Sequence, residues 1–294
     1  MALFTTYNSV GMAEDVSDII MDITPTDTPM TSMMKSEKVS ARTFSFLEDS
    51  LRAAGVNAKV EGAAASDVTL SDVTERTNTT QILGESFSIS ATSDSVRTHG
   101  RAKETAYQLG RTLKSIKRDL EHAYVGVAQA TVVGNASTAR KMTSLINQIS
   151  TAVDAGSNAT DPLTEAKLLT AGQTAFTNGS SPSVFMVKPA DSTIVAGFSA
   201  ASGRNREIAQ GKTLVNVVDL YVSPFGEYKV VLNRHMLTSV ALLIDPSMFK
   251  QCVLRPFTRT LLAKTGDSDR HYVIGEYSCK HTNFGDSVKI TGLS

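Results

Sequence analysis

One apolar stripe constrains this chain more than any other feature. Ala102, Ala106, Leu109, Leu113, Ile116, Leu120, Ala123 and Val127 follow one another at alternating spacings of four and three. That repeat matches one face of an α-helix, so a helix is predicted over 101–130, roughly 40 Å long. Gly110 is its weak point, costing about 1 kcal/mol against alanine. Asp119 and Glu121 read as part of a solvated face. Arg101, Lys103, Arg111, Lys114, Lys117 and Arg118 read first as solvated too, with an anionic partner as the alternative.

Strand patterns surround this helix. Phe44 and Phe46 alternate with Thr43 and Ser45, and Phe87 and Ile89 alternate with Ser86, Ser88 and Ser90. Period two marks half-buried strands. The two runs predict one long hairpin over 40–92, whose connection at 50–75 is rich in Ala, Gly, Ser and Asp. So long an unstructured connection is functional or disordered. An isolated hairpin is marginal in water, so this one is expected to lie on another surface.

Further along, Asp161 and Pro162 predict a helix start as N-cap and first helical residue, and Asn178-Gly179 predicts its end. Val184 to Val187 reads as a buried strand, 190–199 as a short helix, and 200–212 as a polar loop carrying Arg204, Arg206 and Lys212. Leu214 to Val222 and Tyr228 to Leu232 read as a hairpin about Pro224-Phe225-Gly226. Strands are predicted at 239–245, 250–263, 271–280 and 286–291. The fold class is α+β, one dominant helix with short ones and antiparallel sheet.

Residues 1–38 stand apart. Thr24-Pro25-Thr26-Asp27-Thr28-Pro29 breaks regular structure, and a short helix with Val16, Ile19 and Ile20 on one face is expected before it. Glu14, Asp15, Asp18, Asp22, Asp27 and Glu37 outnumber Lys35 and Lys38 there. Arm and hairpin carry little core of their own, which predicts that neighbouring copies hold them.

Most chemistry is excluded. With 29 basic and 29 acidic residues the net charge is zero, without the basic excess of a dedicated nucleic-acid binder. Cys252 and Cys279 form no C-x-x-C pair, so neither a disulfide scaffold nor a cysteine zinc site is expected. They meet only if their strands are neighbours, and a reducing cytoplasm predicts free thiols. His99, His122, His235, His271 and His281 never stand at helical ligand spacing. Gly211-Lys212-Thr213 ends like a phosphate-binding loop, but Arg206 occupies the place of its first glycine. No nucleophile elbow occurs. The longest apolar run, Val240 to Ile244, falls far short of the roughly 20 residues that span a bilayer. Met1-Ala2-Leu3-Phe4 has no basic region ahead of an apolar one, so no signal peptide is expected.

A family resemblance rests on several stretches. Thr6-Tyr7-Asn8-Ser9-Val10-Gly11, Glu14-Asp15-Val16-Ser17-Asp18-Ile19-Ile20 and Thr24 to Pro29 resemble the N-terminal signature of a family of tailed-phage major capsid proteins. Asn78-Thr79-Thr80-Gln81-Ile82 resembles the strand leaving that family's extended loop. Gly100-Arg101, Tyr107-Gln108-Leu109 and Lys117-Arg118-Asp119-Leu120-Glu121 resemble its long helix, and Thr138-Ala139-Arg140-Lys141-Met142 the segment after it.

The resemblance implies the Hong Kong 97-type capsid fold. It divides the chain into an N-terminal arm at 1–38, an extended loop (E-loop) at 39–95, a peripheral domain with a spine helix at 96–144, an axial domain at 145–240, and strands returning to the peripheral domain at 241–294. It implies a non-enzymatic head protein that self-assembles into hexamers and pentamers of an icosahedral virion shell. That shell encloses double-stranded DNA without sequence specificity, and assembly in the bacterial cytoplasm uses no membrane. Separate scaffolding and portal proteins, and in some particles decoration proteins, are the implied partners; no cofactor or metal is. An encapsulin-like compartment, or another virion structural protein, is the alternative. The expected inter-subunit contacts are Phe44, Phe46, Leu47, Phe87 and Ile89 on the hairpin and Arg204, Arg206 and Lys212 on the polar loop.

Overall fold

The computed structural model describes residues 26–52, 54–65, 67, 72–96, 103–154, 161–201, 220–264 and 266–293. The chain runs α1 (Pro29–Met33), β1 (Lys35–Lys38), β2 (Thr43–Glu48), β3 (Thr74–Thr79), β4 (Gln81–Ser90), α2 (Ala91–Ser95) and α3 (Glu104–Glu121). There follow α4 (Leu145–Gln148), β5 (Thr151–Asp154), α5 (Glu165–Thr177), β6 (Val184–Val187), α6 (Pro189–Ala201), β7 (Leu220–Ser223), β8 (Gly226–Leu232) and β9 (Val240–Ile244). Last come β10 (Phe249–Leu261), β11 (Ser268–His281) and β12 (Val288–Thr291).

The strands form a four-stranded sheet ordered β1-β10-β11-β4, a six-stranded sheet ordered β5-β12-β9-β6-β8-β7, and a separate β2-β3 ribbon. The central strands β6 and β9 of the six-stranded sheet are buried on both faces. Val184 and Met186 of β6 join a core with Leu120, Tyr124, Leu145, Leu242 and Phe249. Phe185 and Val187 join a second core with Leu168 and Ala175 of α5, Val195 and Phe198 of α6, and Leu243. Two-sided burial explains why β6 and β9 read as unbroken apolar runs and not as alternating ones. β9 and β12 pair with each other inside the six-stranded sheet, while β10 and β11 lie in the four-stranded one.

The dominant helix is shorter than its stripe. After α3 the turn widens into a π-helix over His122–Gly126, and Val127 is extended. Gly126 stands at the stop. A Cβ there would lie 2.6 Å from the His235 carbonyl oxygen, so the close passage of residues 235–237, where Leu237 N–H donates to Val125 O (2.9 Å), requires glycine. Ile116, Leu120 and Ala123 are buried as the stripe predicts, Leu109 and Leu113 are half-buried, and Ala106 is exposed. Ala102 lies outside the described residues, as do the arm's Val16, Ile19 and Ile20.

α5 begins three residues after the expected start. Thr164, not Asp161, is the N-cap, accepting a hydrogen bond from Lys167 N–H at 3.4 Å. Asp161 is instead bridged to Leu293, so sheet pairing claims it first. The end is as expected, with Gly179 in the left-handed conformation (φ 83°).

Candidate assembly surface

The expected 40–92 hairpin resolves differently. β2 pairs not with the Phe87 strand but with β3, in the register Phe44↔Asn78, Phe46↔Arg76 and Leu47↔Glu75. Phe87 and Ile89 belong to β4, which pairs with β11 as Phe87↔His271 and Ile89↔Asp269. Both alternation patterns are real strands, but period two carries no information about which strand pairs with which. Phe87 is half-buried against the His271 ring (5.2 Å), and Ile89 is buried within its own chain.

The root of the β2-β3 ribbon is clamped to its own chain. Glu48 takes Arg76 on one carboxylate oxygen (2.9 Å) and the Phe284 amide on the other (3.0 Å). The Arg76 guanidinium sits 4.7 Å over the Phe284 ring, with the Phe46 ring 6.0 Å away. Asn78 fixes the return strand. Its amide donates to Cys279 O (2.7 Å), and its oxygen accepts from the Thr79 amide (2.8 Å), the Thr143 amide (2.8 Å) and the Thr131 hydroxyl (3.2 Å). Asn78, Thr79 and Thr80 are all buried, which gives that motif a structural task.

Beyond the root the chain finds little of itself to touch. Among the described residues of 49–73 no helix or strand occurs, and Leu51 (96%), Val56 (99%) and Val60 (81%) are almost fully exposed. Leu47, on the outer face of β2, is 66% exposed, whereas Phe44 and Phe46 are half-buried. Of the expected contact residues that the structure describes, Leu47 therefore offers the most free surface. Arg204, Arg206 and Lys212 lie outside the described residues.

Glu121 overturns its reading as a solvated acid. It is fully buried, accepting from the Met30 amide (2.8 Å), the Thr31 amide (2.8 Å), the Thr31 hydroxyl (2.6 Å) and the Asn233 side-chain amide (2.6 Å). α1 starts with Pro29, and Thr28 provides no side-chain cap, so Glu121 satisfies the free N–H groups that a helix start leaves. The carboxylate thereby ties the arm's described end to the end of α3. The only hint in sequence was the Thr28-Pro29 helix start, whose donors need an acceptor from elsewhere. A little further on, Glu37 of β1 is held by Lys280 (2.9 Å) and Lys250 (3.0 Å), which lower its carboxyl below the usual range.

Cys252 and Cys279 do lie on neighbouring strands, β10 and β11. Their register sets Cys252 opposite Ser278 and Cys279 opposite Gln251. Successive strand residues face opposite sides, so the sulfurs point apart and remain free buried thiols. Burial pushes the Cys252 thiol up to about 12 and raises Cys279 as well, so neither is a ready nucleophile. Among the described residues no group of three or more His, Cys, Asp or Glu could hold a metal ion, and no helix is long and apolar enough to cross a membrane. A pocket of about 420 Å³ is lined by Arg42, Ile82, Val133, Gly134 and Arg140 among others. Its Arg140 is engaged with Glu276 at 2.9 Å, and its lining pairs no acid with a base.

The fold has known counterparts. A capsid asymmetric unit of cyanophage A-1(L) superposes with a TM-score of 0.72 at 11% identity, covering 99% of each chain. The holo-SrpI encapsulin complex of Synechococcus elongatus PCC 7942 matches with a TM-score of 0.63 at 10% identity, over 100% of this chain and 97% of that one. These place the architecture in the Hong Kong 97-type capsid fold. In sequence, the major capsid protein of Escherichia phage Phieco32 is 28% identical, covering 96% of this chain and 94% of the relative. The family model described as SU10 major capsid protein matches residues 2–294, and the chain belongs to that family of phage major capsid proteins.

Proposed function

We propose that copies of this chain, grouped as hexamers and pentamers, tile an icosahedral head around double-stranded DNA, with the 49–73 flap of each copy lying over its neighbour. The observation that carries this reading is the flap itself, rooted by Glu48, Arg76 and Asn78 while Leu51, Val56 and Val60 stand in solvent. Burying one such side chain is worth about 1.5–3 kcal/mol, and a sister subunit is a surface present in every shell. In this reading 1–38 is the arm, 96–144 the peripheral region with its spine, and 145–240 the axial region with loop 200–212 at the capsomer centre. Assembly takes place in the host cytoplasm with separate scaffolding and portal proteins and, in some particles, decoration proteins. The role is mechanical, with no catalytic step.

The test is the triple variant Leu51→Ser, Val56→Ser, Val60→Ser. Its subunit stability should stay within about 0.5 kcal/mol, as for other surface changes. Particle yield by sedimentation and negative-stain microscopy should fall about tenfold or more, one lost contact alone being worth that factor. Undiminished yield would contradict the flap's role. An encapsulin-like compartment shares the fold; nuclease-protected DNA in the particles separates the two, and the family match favours the head protein.

A further inference from the structure

The cations of α3 are not scattered around the helix. At about 100° per residue, Lys103 (the N-cap), Arg111, Lys114, Lys117 and Arg118 fall within one third of the circumference. They form a row about 22 Å long at 1.5 Å per residue. Lys103, Arg111, Lys114 and Lys117 are exposed and Arg118 is half-buried. The acids of the helix avoid this row. Glu104 and Asp119 lie on its flank and beyond, and Glu121, in line with it, is turned inward beneath α1. The helical neighbours of Lys114 at three and four residues are Gly110, Arg111, Lys117 and Arg118, so like charges crowd together, which disfavours an isolated helix. In a chain of zero net charge such a row is a local concentration and not a general excess.

We infer that this row is a binding surface for the phosphate backbone of duplex DNA, which places the outer face of α3 on the inside of the shell. The inference rests on the proposed head-protein reading. The composition of the face selects the ligand. A protein partner is anchored by Trp, Tyr and Arg in desolvated pockets, whereas here Lys103, Arg111, Lys114 and Lys117 are all exposed and the row's one aromatic is Tyr107, half-buried and 5.9 Å from the Arg111 guanidinium. Sequence-independent DNA binding needs Lys and Arg alone, with no base-reading group.

The test uses the full chain, as unassembled subunits, and a fluorescent duplex of about 30 base pairs over about 50 to 200 mM salt. Wild type should bind two unrelated sequences equally, with log K falling against log salt at a slope near −3, as for three or four neutralised phosphates. The double variant Lys114→Glu, Lys117→Glu should lose about tenfold to hundredfold in affinity at the lowest salt, with a slope about two shallower. Lys114→Gln with Lys117→Gln, which adds no repulsion, should fall between, and circular dichroism should show both variants folded. Unchanged binding in both variants overturns the inference. So does preference for polyglutamate over the duplex, which would assign the row to an acidic protein. In DNA-filled particles, ultraviolet cross-links should map to the peptide holding Arg111 to Arg118; cross-links confined to other segments overturn it while the shell reading stands. Failure of wild type to form particles sinks the shell reading instead, and duplex binding by the subunit still reports on the row.

Discussion

Replacing Glu121 with alanine is expected to destabilise the subunit by about 4 kcal/mol, the range for breaking a buried, fully hydrogen-bonded charge site. The substitution leaves the Met30 and Thr31 amides, the Thr31 hydroxyl and the Asn233 amide without their acceptor. In a domain of this size that shift lowers the melting temperature by about 10 °C. Glu121→Gln keeps the shape but offers one acceptor oxygen to a site built of donors, so it should recover only about half the loss. Calorimetry gives the totals. Hydrogen exchange locates the effect, since the Met30 and Thr31 amides should lose protection first and free the arm from α3. A loss below about 1 kcal/mol in the alanine variant would show that water replaces the carboxylate.

Acid should loosen the subunit at a different place. The His281 ring is fully buried, stacked on Phe249 (4.2 Å between centroids, 3° between planes) and on Phe284 (5.8 Å, 11°). Its Nε2 lies 3.2 Å from the Ser287 hydroxyl, and its buried Nδ1 has no hydrogen-bond partner among the described residues. Burial holds its pKa down to about 4 from 6.5, against a smaller opposing effect of the Gln148 backbone. The folded value lies below the unfolded one, so the unfolded chain binds the extra proton. The stability due to the neutral ring is complete above pH 6.5 and is lost as pH falls toward 4. The loss amounts to about 3 kcal/mol. Phe284 also carries the clamp of Glu48 and Arg76, so the ribbon root should open along with this stack. Asp286, raised by burial, works in the opposite sense. The comparison of urea midpoints between wild type and His281→Phe across pH 7 to 4 therefore isolates the ring, and parallel curves for the two proteins would contradict its assignment.

What the sequence revealed, and what it hid, follows from how far apart the interacting groups lie. The buried half of α3, the runs Val184 to Val187 and Val240 to Ile244, and the stop at Asn178-Gly179 are local patterns, and each forms the element expected. The ribbon's pairing is not legible in the sequence because β3 and β4 are separated by Thr80 alone, with no glycine or proline to mark the break. β4 then pairs with β11, far along the chain, a choice that only the assembled sheet makes. Glu121 was hidden because an acid looks the same in sequence whether it faces water or four donors. The flap, by contrast, was legible as a long connection without aromatic residues. A chain can show plainly where it lacks a core of its own.

The claim that joins these features is that the flap finds its missing surface on sister copies. Electron microscopy and sedimentation of the full chain, beside a version in which 50–72 is replaced by a short Gly-Ser linker, address it directly. The full chain should appear as closed particles of megadalton mass and the linker version as folded subunits that never close a shell. Normal shells from the linker version, or a full chain that stays a 31.4 kDa monomer at high concentration, would contradict it.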